Sequence, residues 1–239
     1  MNYIFITGSS KGLGKALAEE YLVDKNNFVF GFARTHSIKH ERYKHFTVDF
    51  SNKSTYENFE FPLLENPEKI ILINNVGWVG DVKYVGSQNL KSIEDIFSIN
   101  VVSLIFLCNQ FASKYGSLNI PSTILNISSG AANYPIDGWS NYCSTKAAVN
   151  MFSQVFQKEL EIKEQNHIKV FAMAPGIIDT GMQQDIRKAD KEHFADIDRF
   201  LEYKNKGDLS SPEEVAKKIK SFILKSADYN EVLADVRSI

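Results

Sequence analysis

In the segment SNYCSTKAAVN, residues 140–150, a tyrosine, Tyr142, stands four places ahead of a lysine, Lys146. On a helix that spacing puts both side chains on one face, about 5–6 Å apart at Cβ. A phenol and an ammonium so placed can serve as a proton donor and the cation that tunes it. To exchange protons near neutrality the phenol needs its pKa lowered by two to three units, a stabilisation of its anion of about 3–4 kcal/mol. A cation at about 4 Å supplies roughly 1 kcal/mol in bulk water and about 4 at a partly shielded site, so burial beside a cofactor decides whether the pair can work. Thirteen residues upstream, Ser129 closes the strand-like run STILNISS (122–129). A hydroxyl there can hydrogen-bond a carbonyl oxygen that gains charge as hydride reaches its carbon, with Tyr142 passing its proton as general acid. Each signal alone is weak: Tyr and Lys four apart are frequent on helices, and serines are common turn residues at strand ends.

A second cluster follows the first apolar run. In TGSSKGLGKA, Gly8, Gly12 and Gly14 are spaced G-x-x-x-G-x-G, with Ser10, Lys11 and Leu13 between them, and the loop runs straight into a helical pattern. Glycines allow a tight turn and close backbone approach, and the helix N-terminus then offers free N–H groups to a pyrophosphate. Where a site for an unphosphorylated ribose carries an acid, at the end of the second strand, this chain reads GFARTH and places Arg34. With Lys11 it gives two cations to flank a 2′-phosphate, which favours NADP(H) over NAD(H). Asp49 and Phe50 end the third apolar run, where they could hydrogen-bond and flank an adenine, and Asn75, Val76 and Gly77 end the fourth, where they would border the cofactor cleft.

The elements that must position these residues alternate along the chain. Short apolar runs, YIFIT (3–7), FVFGFA (28–33), HFTVDF (45–50), KIILINN (69–75), STILNISS (122–129) and IKVFAMAPG (168–176), take turns with segments of helical period at 12–23, 93–116 and 141–162. Strands apolar along their whole length require cover on both faces. The expectation is an α/β Rossmann fold: one domain over 1–239, a doubly wound parallel sheet with helices on both faces. After Pro175-Gly176 the segment 177–211 becomes charged and irregularly amphipathic and reads as a substrate lid, with a solvated helical excursion as its plain alternative. SPEEVAKKIKSFIL (211–224) opens with a Ser-Pro-Glu-Glu helix start.

Composition narrows the function classes. Apolar residues make up 44% and charged residues 23% of the 239, the balance of a soluble globular protein, and a net charge of −2 without a basic stripe disfavours nucleic acid. Cys108 and Cys143 suggest neither a disulfide framework nor a zinc site, and His36, His40, His45, His167 and His193 form no ligand set, so no metal is expected. The N-terminus lacks a basic leader and a cleavage site, and the longest apolar run, VVSLIFLC, falls short of the roughly 20 residues a membrane span requires. A cytoplasmic protein is the default.

Taken together, TGSSKGLG, NNVG, Asn100 in FSINVVS, Ser129 in NISSG, YCSTK, and PGIIDTGM with Pro175, Gly176 and Thr180 resemble the short-chain dehydrogenase/reductases over essentially the whole chain. The resemblance implies a catalytic set of Ser129, Tyr142 and Lys146, with Lys146 also holding the nicotinamide ribose. It implies that Asn100 fixes a water linking Lys146 to solvent and that Thr180 touches the nicotinamide carboxamide, with Ile178 beside it. SGAANYPIDGWSNYCSTKAAVNMF, APGIIDTGMQ, GDLSSPEEVA and the terminal ADVR resemble a sepiapterin-reductase-like branch and the bacterial benzil reductases within it, which use NADPH. Val76 stands where the family usually has alanine.

Tyr134, Pro135, Trp139, Ile177, Ile178 and Met182, with Trp78, could line an apolar pocket for a bulky ketone or diketone, although the same residues could simply pack the lid. The family resemblance implies a homodimer or homotetramer formed through two long central helices; here 97–116 and 146–160 are apolar on more than one side, as such an interface would require and as a covered core helix would also show. The expected activity is NADPH-dependent reduction of a small-molecule carbonyl substrate. A cofactor-sensing regulator without turnover is the alternative, and a nucleotide-sugar epimerase is disfavoured by the short C-terminal region.

Overall fold

The computed structural model describes residues 1–239. Seven strands form one parallel sheet in the order β3-β2-β1-β4-β5-β6-β7. They are β1 (Asn2–Thr7), β2 (Asn27–Ala33), β3 (Tyr43–Thr47), β4 (Lys69–Asn74), β5 (Ser122–Ile127), β6 (Ile168–Ala174) and β7 (Leu233–Asp235). The order reverses between β1 and β4, so the crevice beyond their carboxyl ends is the place where a doubly wound sheet binds ligands.

The continuous apolar character of the strands follows from their two covered faces. In β1, Ile4 and Ile6 enter one core, whereas Phe5 between them enters the other. The first core is closed by α1 (Gly12–Leu22) and by α7 (Pro212–Leu224), and the second by α3 (Ser103–Tyr115) and α4 (Ser140–Ile162). Helix α7 begins as its Ser-Pro-Glu-Glu signal predicts. The Ser211 hydroxyl accepts from the Glu214 N–H while the Glu214 carboxylate accepts from the Ser211 N–H, a reciprocal cap with Pro212 at the first helical position. At the far end of α1, Arg42 donates to the carbonyls of Leu22, Asp24 and Asn27 and satisfies acceptors the helix leaves free.

Three features differ from the sequence expectation. The third strand ends at Thr47 rather than at residue 50, and no α-helix joins β3 to β4. Aromatic residues cover the sheet there, with Phe61 edge-on to Phe5 at 4.9 Å and Phe59 edge-on to Phe32 at 5.1 Å. The segment expected as one helix over 93–116 is a continuous helical run from α2 (Leu90–Phe97) through a π-turn (Ser98–Val102) into α3. By length and composition this 26-residue run, with a mean hydropathy of 1.6 in its most apolar stretch, is sufficient to cross a membrane, contrary to the expectation from VVSLIFLC alone. Here it lies on the sheet, with Leu104, Leu107, Cys108 and Phe111 in the core. Finally, β7 is only three residues long, too short for its own periodic signal.

Within 177–211, α5 (Gly181–Ile186) and α6 (Ile197–Lys206) form an excursion from the sheet. Its two ends are zipped together by a parallel bridge between Ile178 and Ser210.

Candidate active site

The crevice is built first by glycine. Gly8 and Gly12 adopt φ of 70° and 53°, in the left-handed region where a Cβ is strained. At Gly14 a Cβ would lie 2.3 Å from the Gly8 carbonyl oxygen, so no other residue lets α1 pack this tightly under the loop. Thr7, buried at the end of β1, accepts through Oγ1 from the N–H groups of both Asn75 and Val76 at 2.9 Å, and Asn75 Nδ2 donates to the Thr7 carbonyl. The glycine loop and the end of β4 are therefore one unit, and Thr7 is a structural determinant that the sequence reading passed over although it opens the TGSSKGLG motif. The loop leaves a cradle of backbone N–H groups at the start of α1, whose preceding residue Lys11 provides no side-chain cap. That arrangement fits a dinucleotide pyrophosphate.

The side chains assigned to cofactor binding divide. Lys11 and Arg34 are exposed at the same end of the sheet, free to meet an anion, and Thr180 lies over the loop, its Cγ2 3.2 Å from where a Gly12 Cβ would stand. Ser10 is half-buried in the turn, while Leu13 is buried in the first core, so only its backbone faces the crevice. Ser9, not singled out from sequence, is fully buried and hydrogen-bonded to the Tyr43 hydroxyl at 2.9 Å. Asp49 lies beyond its strand; it accepts from the N–H and Oγ of Ser51, and its carboxyl is held below the ordinary range. Burial opposes that lowering, and it is outweighed by these hydrogen bonds and by the Arg34 and Lys91 cations. Phe50 does not flank the crevice: it is 4% exposed, in the second core, against Tyr56. Ile178 is likewise a core residue, in the first core with Val236, because the bridge to Ser210 turns it inward. Gly176, after Pro175, adopts φ of 77° beside Val236 and Arg237.

At the chemical end, α4 carries Tyr142 and Lys146 on one buried face, 6% and 4% exposed. Lys146 Nζ donates to the Ile127 carbonyl at 2.8 Å and lies 5.7 Å from the centroid of the Tyr142 ring. Ser129, half-buried just past the end of β5, accepts through Oγ from the Ala131 N–H at 3.2 Å, and its hydroxyl stands near enough to Tyr142 to pull that phenol's pKa downward. The expected depression of the phenol's pKa is not found. Burial raises Tyr142 to about 12, against a partial lowering by the nearby Ser129 hydroxyl, and burial lowers Lys146 to about 8. Both shifts have one cause: a dry site disfavours charge on either group. The phenol therefore stays protonated, a weaker acid than a free tyrosine until charge develops on a bound carbonyl oxygen, while the ammonium persists only below about pH 8.

Asn100 sits in the π-turn between α2 and α3, a local distortion common at functional sites. Its Oδ1 accepts from the Trp78 N–H at 2.9 Å, and its Nδ2 donates to the Trp78 carbonyl at 2.8 Å and to Thr145 Oγ1 at 3.0 Å. It thus pins the Gly77-Trp78 loop to the turn of α4 that carries Lys146. A Cβ at Gly77 would stand 3.6 Å from both Asn100 Oδ1 and Lys146 Nζ, so the two side chains border one point of the crevice. Thr145 was missed from sequence, although its place immediately before Lys146 was the signal available.

The apolar pocket expected from Tyr134, Pro135, Trp139, Ile177, Ile178 and Met182 is not assembled as one cavity. Tyr134 is 71% exposed and Pro135 is exposed, Ile178 is in the other core, and half-buried Ile177 accepts from the Ser210 N–H. Trp139 and Met182 do meet at a third apolar cluster, which also holds Tyr142 and the excursion residues Ile186, Phe194, Ile197 and Phe200. The Trp139 ring is edge-on to Tyr142 at 5.3 Å and faces Phe194 at 5.8 Å, and its buried Nε1 has no partner. Beside this cluster a cleft of about 440 Å³ opens between residues 79–83 and 185–193, lined by charged residues such as Asp81, Lys83 and Lys188 as well as Val79.

A glycine cradle stands beside a half-buried serine and a buried tyrosine and lysine at the carboxyl end of one parallel sheet, and known proteins agree with that arrangement. Residues 2–191 match the short chain dehydrogenase family. This chain belongs to the short-chain dehydrogenase/reductases. It is 33% identical over 238 residues to a benzil reductase ((S)-benzoin forming) of Bacillus subtilis, with 97% of each chain covered. It is 29% identical to sepiapterin reductase of Rattus norvegicus, covering 77% of this chain and 76% of that one. A short chain dehydrogenase/reductase from Saccharomyces cerevisiae superposes with a TM-score of 0.83 at 22% identity, over 99% of this chain and 96% of the other, and shares the fold. The chain is therefore an oxidoreductase of a family whose enzymes use NAD(P)H.

Proposed function

We propose that this short-chain reductase reduces a bulky ketone or 1,2-diketone with NADPH, benzil-like compounds being the first candidates and pterins the second. The observation that carries the reading is the buried pair Tyr142 and Lys146, with half-buried Ser129 beside them, at the rim of the glycine cradle. Lys11, Gly12 and Arg34 would hold the phosphates, Thr180 and Lys146 the nicotinamide end. When bound, the nicotinamide supplies hydride to the carbonyl carbon. Ser129 orients the carbonyl oxygen, Tyr142 passes it a proton as charge develops, and Lys146 offers a nearby positive charge to the phenolate that remains. The preference for the 2′-phosphorylated cofactor rests on Lys11 and Arg34, two exposed cations with no acidic residue between Arg34 and Ser37.

The aromatic cluster around Trp139 supports a large apolar substrate, reached when the excursion 177–211 acts as a lid. This reading includes a cytoplasmic homodimer or homotetramer. Free Cys108 and Cys143 suit a reducing compartment, and the outward faces of the π-turn, α3 and α4 carry exposed Val102, Ile105, Met151 and Val155 for a second copy. An NADPH-oxidation screen against diketones, pterins, quinones and aldehydes tests it. Turnover of an aromatic diketone at a rate abolished in Tyr142→Phe supports the proposal, and no turnover of any carbonyl compound rejects it.

A further inference from the structure

Residues 177–211 cover Tyr142 chiefly through apolar rings, and apolar contact is non-directional: it favours burial without fixing a register. Among the hydrogen bonds and ion pairs made by residues 181–206, only one leaves the excursion for the body of the protein. The Ala195 N–H donates to Asp137 Oδ2 at 2.6 Å. The same carboxylate oxygen accepts from the Tyr84 hydroxyl at 3.2 Å, so Asp137 ties the loop after β4, the turn before α4 and the excursion at one atom.

The neighbouring residue is shaped for the same contact. Gly138 adopts φ of 71°, and a Cβ there would lie 2.6 Å from the His193 carbonyl oxygen and 3.1 Å from Val82 Cγ1. The excursion's backbone therefore comes closer to this turn than any side chain would permit. The Gly138 carbonyl accepts from the Lys83 N–H at 3.1 Å, and the Tyr84 ring meets His193 edge-on at 5.8 Å. Immediately after this turn come Trp139, which faces Phe194, and Tyr142 on α4.

On the reading that 177–211 is the lid of a reductase, we infer that Asp137 is a positioning residue that latches the lid over Tyr142, with Gly138 providing the clearance. A hydrogen bond to a charged acceptor is strong enough that its loss raises the open population by about tenfold. Asp137 touches no reacting atom; it acts by holding Phe194 against Trp139, which completes the wall beside the phenol.

The test compares Asp137→Ala, Asp137→Asn and Gly138→Ala by amide hydrogen exchange of residues 190–206, read against the sheet strands as a control for global unfolding. The expected result is roughly tenfold faster exchange in Asp137→Ala and in Gly138→Ala, with Asp137→Asn close to wild type because its amide oxygen can still accept. With benzil, KM rises by about tenfold in the first two variants while the NADPH dissociation constant stays within about twofold. Unchanged exchange in Asp137→Ala, or equal acceleration in Asp137→Asn, overturns the latch. Because exchange is measured without substrate, a wild-type protein that reduces no ketone would sink the functional reading while still deciding the latch.

Discussion

The ammonium nitrogen of Lys146 lies 5.7 Å from the ring centroid of Tyr142 and is hydrogen-bonded to the carbonyl of Ile127, so that one strand end anchors the cation and one helix turn aims it. The two groups are buried together and pushed in opposite directions, the phenol up to about 12 and the ammonium down to about 8. Both shifts favour the uncharged forms.

This gives a pH dependence with a definite sign. If turnover requires the Lys146 cation, kcat/KM falls as pH rises through about 8, where that cation is lost, and is flat with respect to this group below it. A rate profile between pH 6 and 10 checks this. A limb near pH 10.5, the ordinary lysine value, would mean that burial does not set the charge.

The same shift bears on stability. Because the folded-state pKa lies below the unfolded one, the folded chain binds fewer protons between about pH 8 and 10, and stability rises with pH across that window. Below about pH 8 the buried charge costs about 3 kcal/mol, from the difference between 10.5 and about 8. Denaturant titrations should show this rise in wild type and not in Lys146→Met, which should be more stable than wild type at pH 7.

Arg34→Asp replaces an exposed cation at the end of β2 with the acid that holds ribose hydroxyls. The ratio of NADPH to NADH dissociation constants should rise by about a hundredfold, one of the two flanking cations being converted into a repelling carboxylate. Fluorescence titration of both cofactors measures the ratio.

Gly14→Ala puts a methyl group 2.3 Å from the Gly8 carbonyl. Overpacking of this kind costs typically 1–3 kcal/mol, so the variant should lose about that much stability in urea and bind neither dinucleotide well. Gly130→Ala, with open space around its Cβ position, is the control and should stay close to wild type in stability.

Much of the fold was legible because its signals are local. Strands apolar on every residue announced two covered faces, and Ser211-Pro212-Glu213-Glu214 announced α7. The site was legible where motif residues act through backbone or through one helix face: Gly8, Gly12, Gly14, Tyr142 and Lys146. It was less so where a side chain's direction depends on distant packing. Phe50 and Ile178 follow the ends of β3 and β6 by a few residues yet turn into the cores, and Tyr134 turns to solvent. The pKa of Tyr142 could not be read from the i, i+4 spacing, because Coulomb attraction and desolvation oppose each other and only the fold sets their balance. Thr7, Thr145 and Asp137 were hidden for the same reason: their partners are 68, 45 and 58 residues away in sequence.

The central claim is that Tyr142 delivers the proton to a reduced carbonyl oxygen. Single-turnover oxidation of bound NADPH by benzil, compared between wild type and Tyr142→Phe at pH 7, tests it most directly. The account predicts unchanged NADPH affinity and a rate lower by about 10²- to 10⁴-fold in the variant. A variant rate within twofold of wild type would contradict it.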